Sequence, residues 1–590
     1  METHECQKNK IEWKDIDWTK AQKDLSKIQH RIYKASLNGN KILVQKLQRR
    51  LLSSFYARAL AVRMVTEKNR GRKTPGVDQM IIVKSTEKLQ MAKNLTLNGK
   101  ASSIKRIFIP KSGSKVKRPL GIPTIRDRAK QKLVLFALDA AWEANFEPNS
   151  YGFRPGRSCQ DAISAIFLTC RGSQKWILDV DIHKCFEKID HAKLIKKLET
   201  FPLIENQVKA WLKAGVMQVN GNQRLEENQS GMGTPQGGII SPLLANIALH
   251  GMENAIKNHY VEKFRKNFPG VGKRDILRRA AVIRYADDFV VITDFREEVE
   301  EIKQYLEKWL MQEAGLEFSK EKTHILNSAE GLDFLGFHMV SVNYQGRWKF
   351  ITKISRKSKL NHLIELRSII QKYKGGSAAQ LITKLNPVIR GWCNYYRTCQ
   401  CTEEFNQVEY MTFGQIRAWV FRRKSKGLRS RTSIKQKYFP EKYTIKFDGA
   451  EHVSDWILVG QKVGRKGIKE KIHLIRHSWI LVRNHVKVQG QASPYNGDHI
   501  YWATRSIKYG IFNLTEQRLL KKQSFKCNIC KMYLQTGEII ERDHIIRLAD
   551  GGKDNFKNLQ MVHRYCHQIK TSSENSKFKG LTKKSSVKLG

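Results

Sequence analysis

The sequence lacks any run of 18 or more apolar residues, which is the length that a membrane-spanning helix requires. Its longest apolar stretches, such as the one through Pro242–Leu249, have the length of core segments. The first ten residues are polar and mixed in charge, so they resemble neither a secretion signal nor an Arg/Ser-rich transit peptide. We therefore expect no membrane association and no targeting signal. The expected compartment is a reducing one, either the bacterial cytoplasm or the interior of an organelle that encodes the chain.

Acidic residues are scarce as well. The chain has 55 Asp and Glu against 107 Lys and Arg, which gives a formal net charge of +52. A surplus of this size repels itself unless a polyanion neutralises it, and phosphate backbones do so. A solvated basic surface without a specific ligand is the alternative. Because hydrophobic residues make up 41% of the 590 residues, the chain can form sizeable cores, and its length indicates several domains.

The 10 cysteines show no disulfide framework, because seven are scattered and three lie near the C-terminus with histidines. Cys527-Asn-Ile-Cys530 and His563-Arg-Tyr-Cys566 form two closely spaced ligand pairs. Three thiolates and one imidazole suit a tetrahedral Zn²⁺ site. Unrelated buried cysteines are the alternative.

Hydrophobic periodicity divides the chain into regions of different character. Residues 18–65 are predicted to be helical, and strands alternate with helices from about Pro123 to Phe337. Residues 355–440 are predicted to form a basic helical region, and residues 445–520 show β-like alternation in Trp456–Val459 and Trp479–Val482. The last stretch, Lys577–Gly590, is Lys/Ser-rich and is predicted to be a disordered basic tail.

Two carboxylate motifs point to phosphoryl transfer. Tyr285-Ala-Asp-Asp288 lies between two strand-like apolar runs, Ala281–Arg284 and Phe289–Ile292, which predicts a hairpin tip. Asp181 ends another predicted strand that begins at Trp176. Adjacent carboxylates repel one another unless a divalent cation binds them, and nucleotide transfer uses two Mg²⁺ ions held in this way. A solvated turn is the alternative for the Asp pair considered alone.

Several further blocks give the chain a specific resemblance to the reverse transcriptases encoded by group II introns. The blocks follow the order of that family over about residues 60–580: Ile109-Pro-Lys111 with Arg118–Pro123, Tyr151–Ser158, Asp181–His191, Gly233–Ile247, Tyr285–Asp288, Leu316–Thr323 and Phe334–Phe337. Gly233-Thr-Pro-Gln-Gly-Gly238 is the most specific of them, since its glycines let the backbone approach template and incoming base closely.

The resemblance assigns polymerase roles by position. It implies that Asp181, Asp287 and Asp288 bind Mg²⁺ and that Lys322 is the acid for the leaving pyrophosphate. Phe186 stands where that family excludes a 2′-hydroxyl, although a core phenylalanine is the alternative. The implied substrate-binding residues are Lys111, Arg118, Phe186, Gln236 and Tyr285. For Lys322, Lys111 and Arg118 the alternative is an ordinary basic surface, and His183-Lys-Cys185 departs from the family pattern in a way that puts local nucleotide contacts in doubt.

Leu385–Arg397 resembles the signature of the maturase domain of the same family, which implies binding of intron RNA and assistance in splicing. Trp392 and Tyr395 would stack on bases, and Arg390 and Arg397 would hold phosphates. Core packing is the alternative for the two aromatic residues. A cation run, Phe421–Arg431, is either a second RNA contact or a solvated face, and residues 445–520 occupy the family's DNA-binding position.

The C-terminal Cys/His region resembles the HNH nuclease motif. By this resemblance His544 would activate water, and Asp543 and His567 would hold one divalent metal ion at the scissile phosphate. Asn558 would orient the His544 imidazole, and Glu541 would support the metal ligands. Many family members have Cys where His563 stands, so the zinc role of His563 rests on less than that of the three cysteines.

The predicted protein is therefore a multidomain α+β chain with polymerase fingers and palm, a helical thumb or maturase domain, a basic DNA-binding region and a ββα-metal HNH nuclease. The predicted divisions are 1–60 (N-terminal helical extension), 61–350 (fingers and palm), 351–444 (maturase and thumb), 445–520 (DNA-binding), 521–576 (nuclease) and 577–590 (tail). Expected partners are group II intron RNA, target double-stranded DNA and dNTPs, and a homodimer is compatible with the sequence. A non-catalytic splicing factor and a reverse transcriptase with a role in defence or repair are the competing interpretations.

Overall fold

A computed structural model describes residues 12–110, 117–220, 223–227, 232–233, 237–423, 430–447, 450–463, 469–509, 512, 514–534, 539–564 and 566–574. Its contacts divide the chain into two compact units. The first consists of Met1–Thr169, Gln174–Asn327 and Val488–Asp498, and the second of Cys170–Ser173, Ser328–Lys487 and His499–Gly590. No helix in the described part of the chain is long and apolar enough to cross a membrane.

The first unit combines helices with two four-stranded sheets. Its helices are α1 (Trp18–Leu37), α2 (Lys41–Ser53), α3 (Phe55–Arg63), α4 (Ser85–Lys93), α5 (Ile125–Glu143), α6 (Cys159–Cys170), α7 (Cys185–Lys188), α8 (His191–Leu198), α9 (Pro202–Leu212), α10 (Ser241–Ala248), α11 (Met252–Phe264), α12 (Lys273–Arg279) and α13 (Arg296–Ala314). Its strands are β1 (Ile104–Pro110), β2 (Lys117–Ile122), β3 (Trp176–Asp181), β4 (Val216–Asn220), β5 (Gln223–Glu227), β6 (Ala281–Tyr285), β7 (Asp288–Thr293) and β8 (His324–Asn327).

The two sheets of the first unit differ in strand order. One has the strand order β2-β1-β4-β5, and the other has the order β6-β7-β3-β8 with antiparallel pairing throughout. Strand β7 is buried from Phe289 to Thr293, which explains its continuous apolar run, and β3 buries Ile177, Leu178 and Val180. Helix α13 covers this sheet with a buried stripe that includes Val299, Ile302 and Leu306, and it ends at Gly315 in the left-handed conformation.

The segment Val488–Asp498, called here the returning segment, belongs to the first unit although the chain on either side of it belongs to the second. Its Tyr495 hydroxyl donates to Oδ2 of the half-buried Asp139 at 2.6 Å, and the Tyr495 carbonyl lies 2.8 Å from His30 Nδ1. The Val488 amide donates to Oδ1 of Asp161 at 2.9 Å. The returning segment therefore donates hydrogen bonds to one half-buried and one buried carboxylate on helices that precede it by more than three hundred residues.

The second unit is helical at its start and more irregular afterwards. Its helices are α14 (Arg356–Lys372), α15 (Ala378–Tyr396), α16 (Thr402–Phe421), α17 (Arg431–Tyr438), α18 (His499–Tyr509) and α19 (Leu514–Lys522). Its strands are β9 (Leu332–Phe334), β10 (Phe337–Tyr344), β11 (Arg347–Ile354), β12 (Tyr443–Phe447), β13 (Ala450–Ser454), β14 (Val459–Val463), β15 (Lys469–His473), β16 (Ile540–His544) and β17 (Leu559–His563). Residues 566–574 are also helical.

The structure confirms the predicted mixed α/β multidomain fold and corrects two local predictions. Trp456–Leu458 precede β14 without regular structure, and Trp479 ends a 3-10 helix, His477–Trp479. Ile457 and Ile480 are buried, so the apolar alternation in these runs reflects packing of irregular chain rather than sheet pairing. The predicted tail at 577–590 lies outside the described residues.

Candidate functional site

The three predicted polymerase carboxylates meet at one end of the β6-β7-β3-β8 sheet. Asp181 ends β3 and lies directly opposite Asp288, the first residue of β7. Ala286 and Asp287 form the two-residue turn between β6 and β7, in which Tyr285 pairs with Asp288. Ala286 has a φ of +60°, the left-handed geometry that a tight hairpin turn of this kind demands. Strand register alone therefore brings the three carboxylates together.

The electrostatics of this cluster favour a bound cation. Burial raises the pKa of Asp287 above its ordinary value and the charge of Asp181 raises it further, while Arg118 and Lys322 lower it. The Lys322 ammonium donates to Oδ2 of Asp181 at 2.5 Å, and this hydrogen bond raises the pKa of Lys322. The ammonium group of Lys322 is therefore a cation bound to one of three neighbouring carboxylates. Such a group of carboxylate oxygens fits divalent cations such as Mg²⁺.

A buried polar network holds the carboxylate hairpin in place. Nη1 of Arg284 donates to the Ala286 carbonyl at 3.1 Å and to Oδ1 of Asn246 at 3.0 Å. Nδ2 of Asn246 donates in turn to the Gly152 carbonyl at 2.9 Å. Burial lowers the pKa of the Arg284 guanidinium to about 10, which leaves it charged at neutral pH. The turn is therefore attached by hydrogen bonds to two other motif blocks of the same unit.

The glycine-rich block packs just as closely against the fingers strands. Gly237 has a φ of +120°, and a methyl group there would lie 2.4 Å from the Gly121 carbonyl oxygen. The Gly233 amide donates to the Ile189 carbonyl at 2.8 Å, and the Gly233 carbonyl lies 2.7 Å from Nε2 of His191. Only glycine allows this approach to β2 at position 237, and the predicted approach of the block to template and incoming base stays a prediction.

The remaining predicted polymerase residues are only partly described. Phe186 is buried on the short helix α7 and meets Phe153 edge to face, with ring centroids 6.3 Å apart. Tyr285 is half-buried, and Arg118 lies on β2 close enough for its charge to lower the pKa of Asp287. Lys111 and Gln236 lie outside the described residues. The substrate-binding roles of all five stay predictions.

The RNA-binding residues predicted around α15 differ in their surroundings. Trp392 stacks on His362, with ring centroids 4.2 Å apart, and Tyr395 donates from its hydroxyl to the Leu335 carbonyl at 3.0 Å. Arg397 is buried, and its Nε donates to the Leu481 carbonyl at 3.1 Å. All three side chains make contacts within the second unit, but Trp392 and Tyr395 are only half-buried, so their proposed stacking on RNA stays a prediction. Arg390 alone of the set is exposed.

A metal-binding geometry is present in the C-terminal region. Ligand atoms of Cys527, Cys530, His563 and Cys566 all lie within 4.8 Å of one another. Hydrogen bonds from Cys530 and Cys566 lower the pKa of the Cys527 thiol below its ordinary value, which favours the thiolate form that metals bind. The cluster lies in a small core formed by α19, β17 and the helix at 566–574. His563 therefore takes its place beside the three cysteines, and the four residues could bind a metal ion.

The predicted nuclease metal ligands adjoin this core. Oδ1 of Asp543 on β16 lies 3.3 Å from Nε2 of His567, and the other nitrogen of His567 lies 3.0 Å from Oε2 of Glu541. Burial raises the pKa of Glu541, but hydrogen bonds from Arg564 and His567 outweigh it and lower the pKa below its ordinary value. The Lys570 ammonium donates to Oδ2 of Asp543 at 2.8 Å. As at Asp181, a lysine cation occupies a carboxylate that fits a divalent metal ion.

The structure corrects the predicted role of Asn558. Its Oδ1 accepts from the Ile546 amide and its Nδ2 donates to the carbonyls of Ile546 and Lys553, all at 2.9 Å. The carboxamide therefore fixes the loop between β16 and β17, and within the described residues it makes no hydrogen bond with His544. Instead, Nε2 of His544 lies 3.0 Å from Oδ1 of Asp554.

Several residues with evident roles escaped the sequence analysis. Asp554 was visible only as part of a Gly-rich loop, and Lys570 could have been found because it follows His567 by three residues on one helix. Arg284 and Asn246 stand inside recognised motifs, but nothing in the sequence indicated that they are bonded to each other.

Models of four protein families match the chain. They are the N-terminal domain of reverse transcriptase at residues 13–95, reverse transcriptase (RNA-dependent DNA polymerase) at 109–339, the group II intron maturase-specific domain at 360–439 and HNH endonuclease at 527–573. Together they include both carboxylate clusters and the Cys/His group described above.

Curated relatives agree with these matches. Group II intron-encoded protein LtrA of Lactococcus lactis subsp. cremoris is 30% identical over 386 residues, an alignment that spans 52% of this chain and 62% of LtrA. Protein YkfC of Escherichia coli K12 is 29% identical, over 59% of this chain and 97% of YkfC. A solved structure of apo telomerase from Candida tropicalis covers 40% of this chain and 53% of its own, at 14% identity and a TM-score of 0.29, which is too low to carry an argument. The chain therefore contains regions that match the reverse transcriptase, group II intron maturase-specific and HNH endonuclease families in that order, and over about half of its length it is similar to the group II intron-encoded protein LtrA.

Proposed function

We propose that this chain copies RNA into DNA with Asp181, Asp287 and Asp288, binds and assists the splicing of a group II intron RNA, and nicks the target DNA with His544. The observation that carries the proposal is the register that sets Asp181 opposite Asp288, beside the turn that contains the half-buried Asp287. Three carboxylates so close together are unfavourable in a structural role and favourable around divalent cations. We also propose the predicted domain boundaries on this basis.

The polymerase chemistry follows from these side chains. Asp181, Asp287 and Asp288 would hold two Mg²⁺ ions, which when bound would lower the pKa of the primer hydroxyl and offset the charge on the leaving pyrophosphate. Arg284 and Asn246 keep the hairpin rigid, so the carboxylates need no rearrangement when substrate binds. Lys322, raised in pKa by Asp181, stays protonated at neutral pH and would provide a proton to the pyrophosphate.

Primer extension on an RNA template with Mg²⁺ tests this function. We expect DNA synthesis by the purified wild-type protein and none by Asp287→Ala/Asp288→Ala. The matched control is Asp275→Ala, which removes an exposed carboxylate on α12 that, among the described residues, pairs with the nearby Arg278. Substantial synthesis by the double variant would refute the assignment. No synthesis by any protein, with tight binding of a structured intron RNA retained, would favour the non-catalytic splicing factor.

The proposed nuclease uses a separate group of residues. Asp543 and His567 would hold the divalent metal ion, supported by Glu541, and four Cys/His ligands would hold a structural Zn²⁺ ion. His544 would remove a proton from the attacking water while Asp554 fixes its ring. Asn558 fixes the loop that presents both. The nick would expose a DNA 3′ end from which the polymerase copies the intron RNA.

A nicking assay on supercoiled DNA tests the nuclease apart from the polymerase. We expect His544→Ala to lose nicking and to keep wild-type DNA synthesis. His338→Ala is the matched control, because His338 also pairs with an aspartate, Asp333 at 2.7 Å, in the same unit. Joint loss of nicking and synthesis in His544→Ala would contradict the proposed division of labour.

A further inference from the structure

The second unit contains a cavity that neither carboxylate cluster uses. Its volume is about 340 Å³, within the range of roughly 300–1,000 Å³ that is usual for small-ligand sites. The floor is apolar and almost inaccessible to solvent, and it is formed by Ile389, Ile416, Phe439, Ile457, Leu458 and Ile475. The cavity thus offers a dry surface to a flat apolar group.

The rim of this cavity is aromatic and exposed. Tyr410 on α16 is 80% exposed, and Trp456 is 37% exposed. The Trp456 ring is fixed from behind by Phe413 and Phe439, with centroids 5.8 and 5.5 Å away. Two flat rings at the mouth of an apolar cavity are suited to stacking against a planar ring system.

The polar groups of the rim fall into two kinds. Glu409 accepts from the Ser478 amide at 3.0 Å and the Ser478 hydroxyl at 2.6 Å, and it lies 3.7 Å from Nη1 of Arg476. Its charge is therefore balanced. The side chains of Asn406 and Tyr410, by contrast, make no hydrogen bond within the described part of the chain. The side chains of Asn406 and Tyr410 can therefore form hydrogen bonds with the polar edge of a ligand whose flat face stacks on the aromatic rings.

The charge around the cavity favours an anionic chain as the carrier of that ligand. Helix α17 packs against α16 and β14 and carries Arg431, Lys435 and Lys437 with no acidic residue. The Lys435 ammonium lies 5.1 Å from the centre of the Trp456 ring. Phosphates bound along α17 would place an attached base at the mouth of the cavity.

We propose that this cavity binds one unpaired nucleobase of a single-stranded RNA, stacked on Tyr410 and Trp456 and met at its edge by Asn406. The flat face of a base fits the apolar floor and the aromatic rings, and its polar edge fits the polar groups of the rim. The phosphate attached to it fits the cations of α17. An acidic peptide would match α17 but not the stacking surface. The inference rests on the proposed RNA binding and names a recognition site within it.

Photocrosslinking locates such a site directly. The probe is a single-stranded 12-nucleotide RNA containing 4-thiouridine, irradiated with the full-length protein, and crosslinked peptides are identified by mass spectrometry. We expect crosslinks in the segments that contain Tyr410 and Trp456. Tyr410→Ala should reduce this crosslink roughly tenfold, as the loss of one stacked base predicts, and Tyr410→Phe should retain it. The matched control is Tyr344→Ala, which removes another exposed tyrosine of the same unit.

Competition identifies the ligand. Unlabelled 12-nucleotide RNA should suppress the crosslink at least tenfold better than an abasic chain of equal length and charge. Equal suppression by the abasic chain, or suppression by a 12-residue poly-glutamate peptide as effective as that by RNA, would overturn the proposal. A filter-binding assay measures RNA binding by the whole protein. If RNA is retained but no crosslink forms in the cavity, only this site is refuted. If no RNA is retained, the proposed RNA binding is refuted as well.

Discussion

Gly152 connects the folding of the first unit with its proposed chemistry in a measurable way. Its backbone passes so close to the carboxylate hairpin that a methyl group would lie 2.3 Å from the Ala286 nitrogen and 2.8 Å from the Tyr285 carbonyl carbon. Ordinary contact begins at 3.4 Å, so Gly152→Ala must separate the two chains by about 1 Å. Side-chain rotation cannot relieve the clash, because both partners are backbone.

Hydrogen bonds oppose that separation from both sides. The Tyr151 amide donates to the Arg284 carbonyl at 2.8 Å, the Arg284 amide donates to the Asn149 carbonyl at 2.9 Å, and Asn246 holds Gly152 itself. Overpacking at such a site costs about 1–3 kcal/mol of the free energy of unfolding. A displacement of about 1 Å at reacting groups costs on the order of 100-fold in rate. We expect Gly152→Ala to lower the DNA synthesis rate by about that factor.

Single-turnover primer extension at saturating primer–template and dNTP measures this loss, and urea unfolding measures the stability. Gly272→Ala is the matched control, because a methyl group at Gly272 would meet nothing within 4 Å and its φ is −64°. Its rate and stability should equal those of the wild type. A Gly152→Ala protein within threefold of the wild-type rate would refute the argument that the hairpin must stay where the network holds it.

Three further predictions concern other parts of the chain. Burial raises the pKa of Asp139 to about 6. The neutral carboxyl group of Asp139 therefore contributes to stability at low pH, and this contribution is lost as the pH rises through 6. The Tyr495→Phe substitution removes a hydrogen-bond donor to the ionised carboxylate. The variant should be close to wild type at pH 5 and less stable by about 1.5–3 kcal/mol at pH 8 in urea unfolding, and an equal difference at both values would contradict this. Cys530→Ser, or removal of metal by a zinc chelator, should lower the thermal stability of the nuclease region and abolish nicking while primer extension continues; unchanged nicking would show that the Cys/His cluster needs no metal. Asn558→Ala should reduce nicking yet keep the bound metal content, because it loosens the loop after β16 without removing a ligand; a full loss of metal would point to a ligand role instead.

The polymerase hairpin could be predicted from the sequence because its information is local. An Asp pair between two apolar runs specifies a turn, and a third carboxylate after a buried strand specifies its neighbour. The same applies to the Cys/His cluster, whose four ligands occur as two short-range pairs. In the Cys/His cluster the sequence spacing within each pair carries most of the geometry, whereas at the hairpin the strand register brings Asp181 opposite Asp288.

Other features could not be predicted because they depend on contacts between distant segments. Aromatic residues and arginines on a helix have the same pattern on a packed face as on an RNA-binding face, so the sequence did not show that Trp392 stacks on His362 or that Arg397 is buried. The buried position of Arg284 was equally hidden, since a charged residue in a strand is normally exposed. Asp554 became recognisable only once the loop after β16 was seen to turn back toward His544.

The returning segment has a consequence for how the protein is made. A ribosome adding roughly 5–20 residues per second needs about 10–35 s between residue 327 and residue 498. Throughout that interval Asp139 and Asp161 have left the ribosome without the tyrosine hydroxyl and amide that later bind them. The nascent first unit therefore lacks the hydrogen bonds of the returning segment while most of the second unit is synthesised. A shortened protein that ends before residue 488 would lack these hydrogen bonds permanently, even though it contains every proposed polymerase carboxylate.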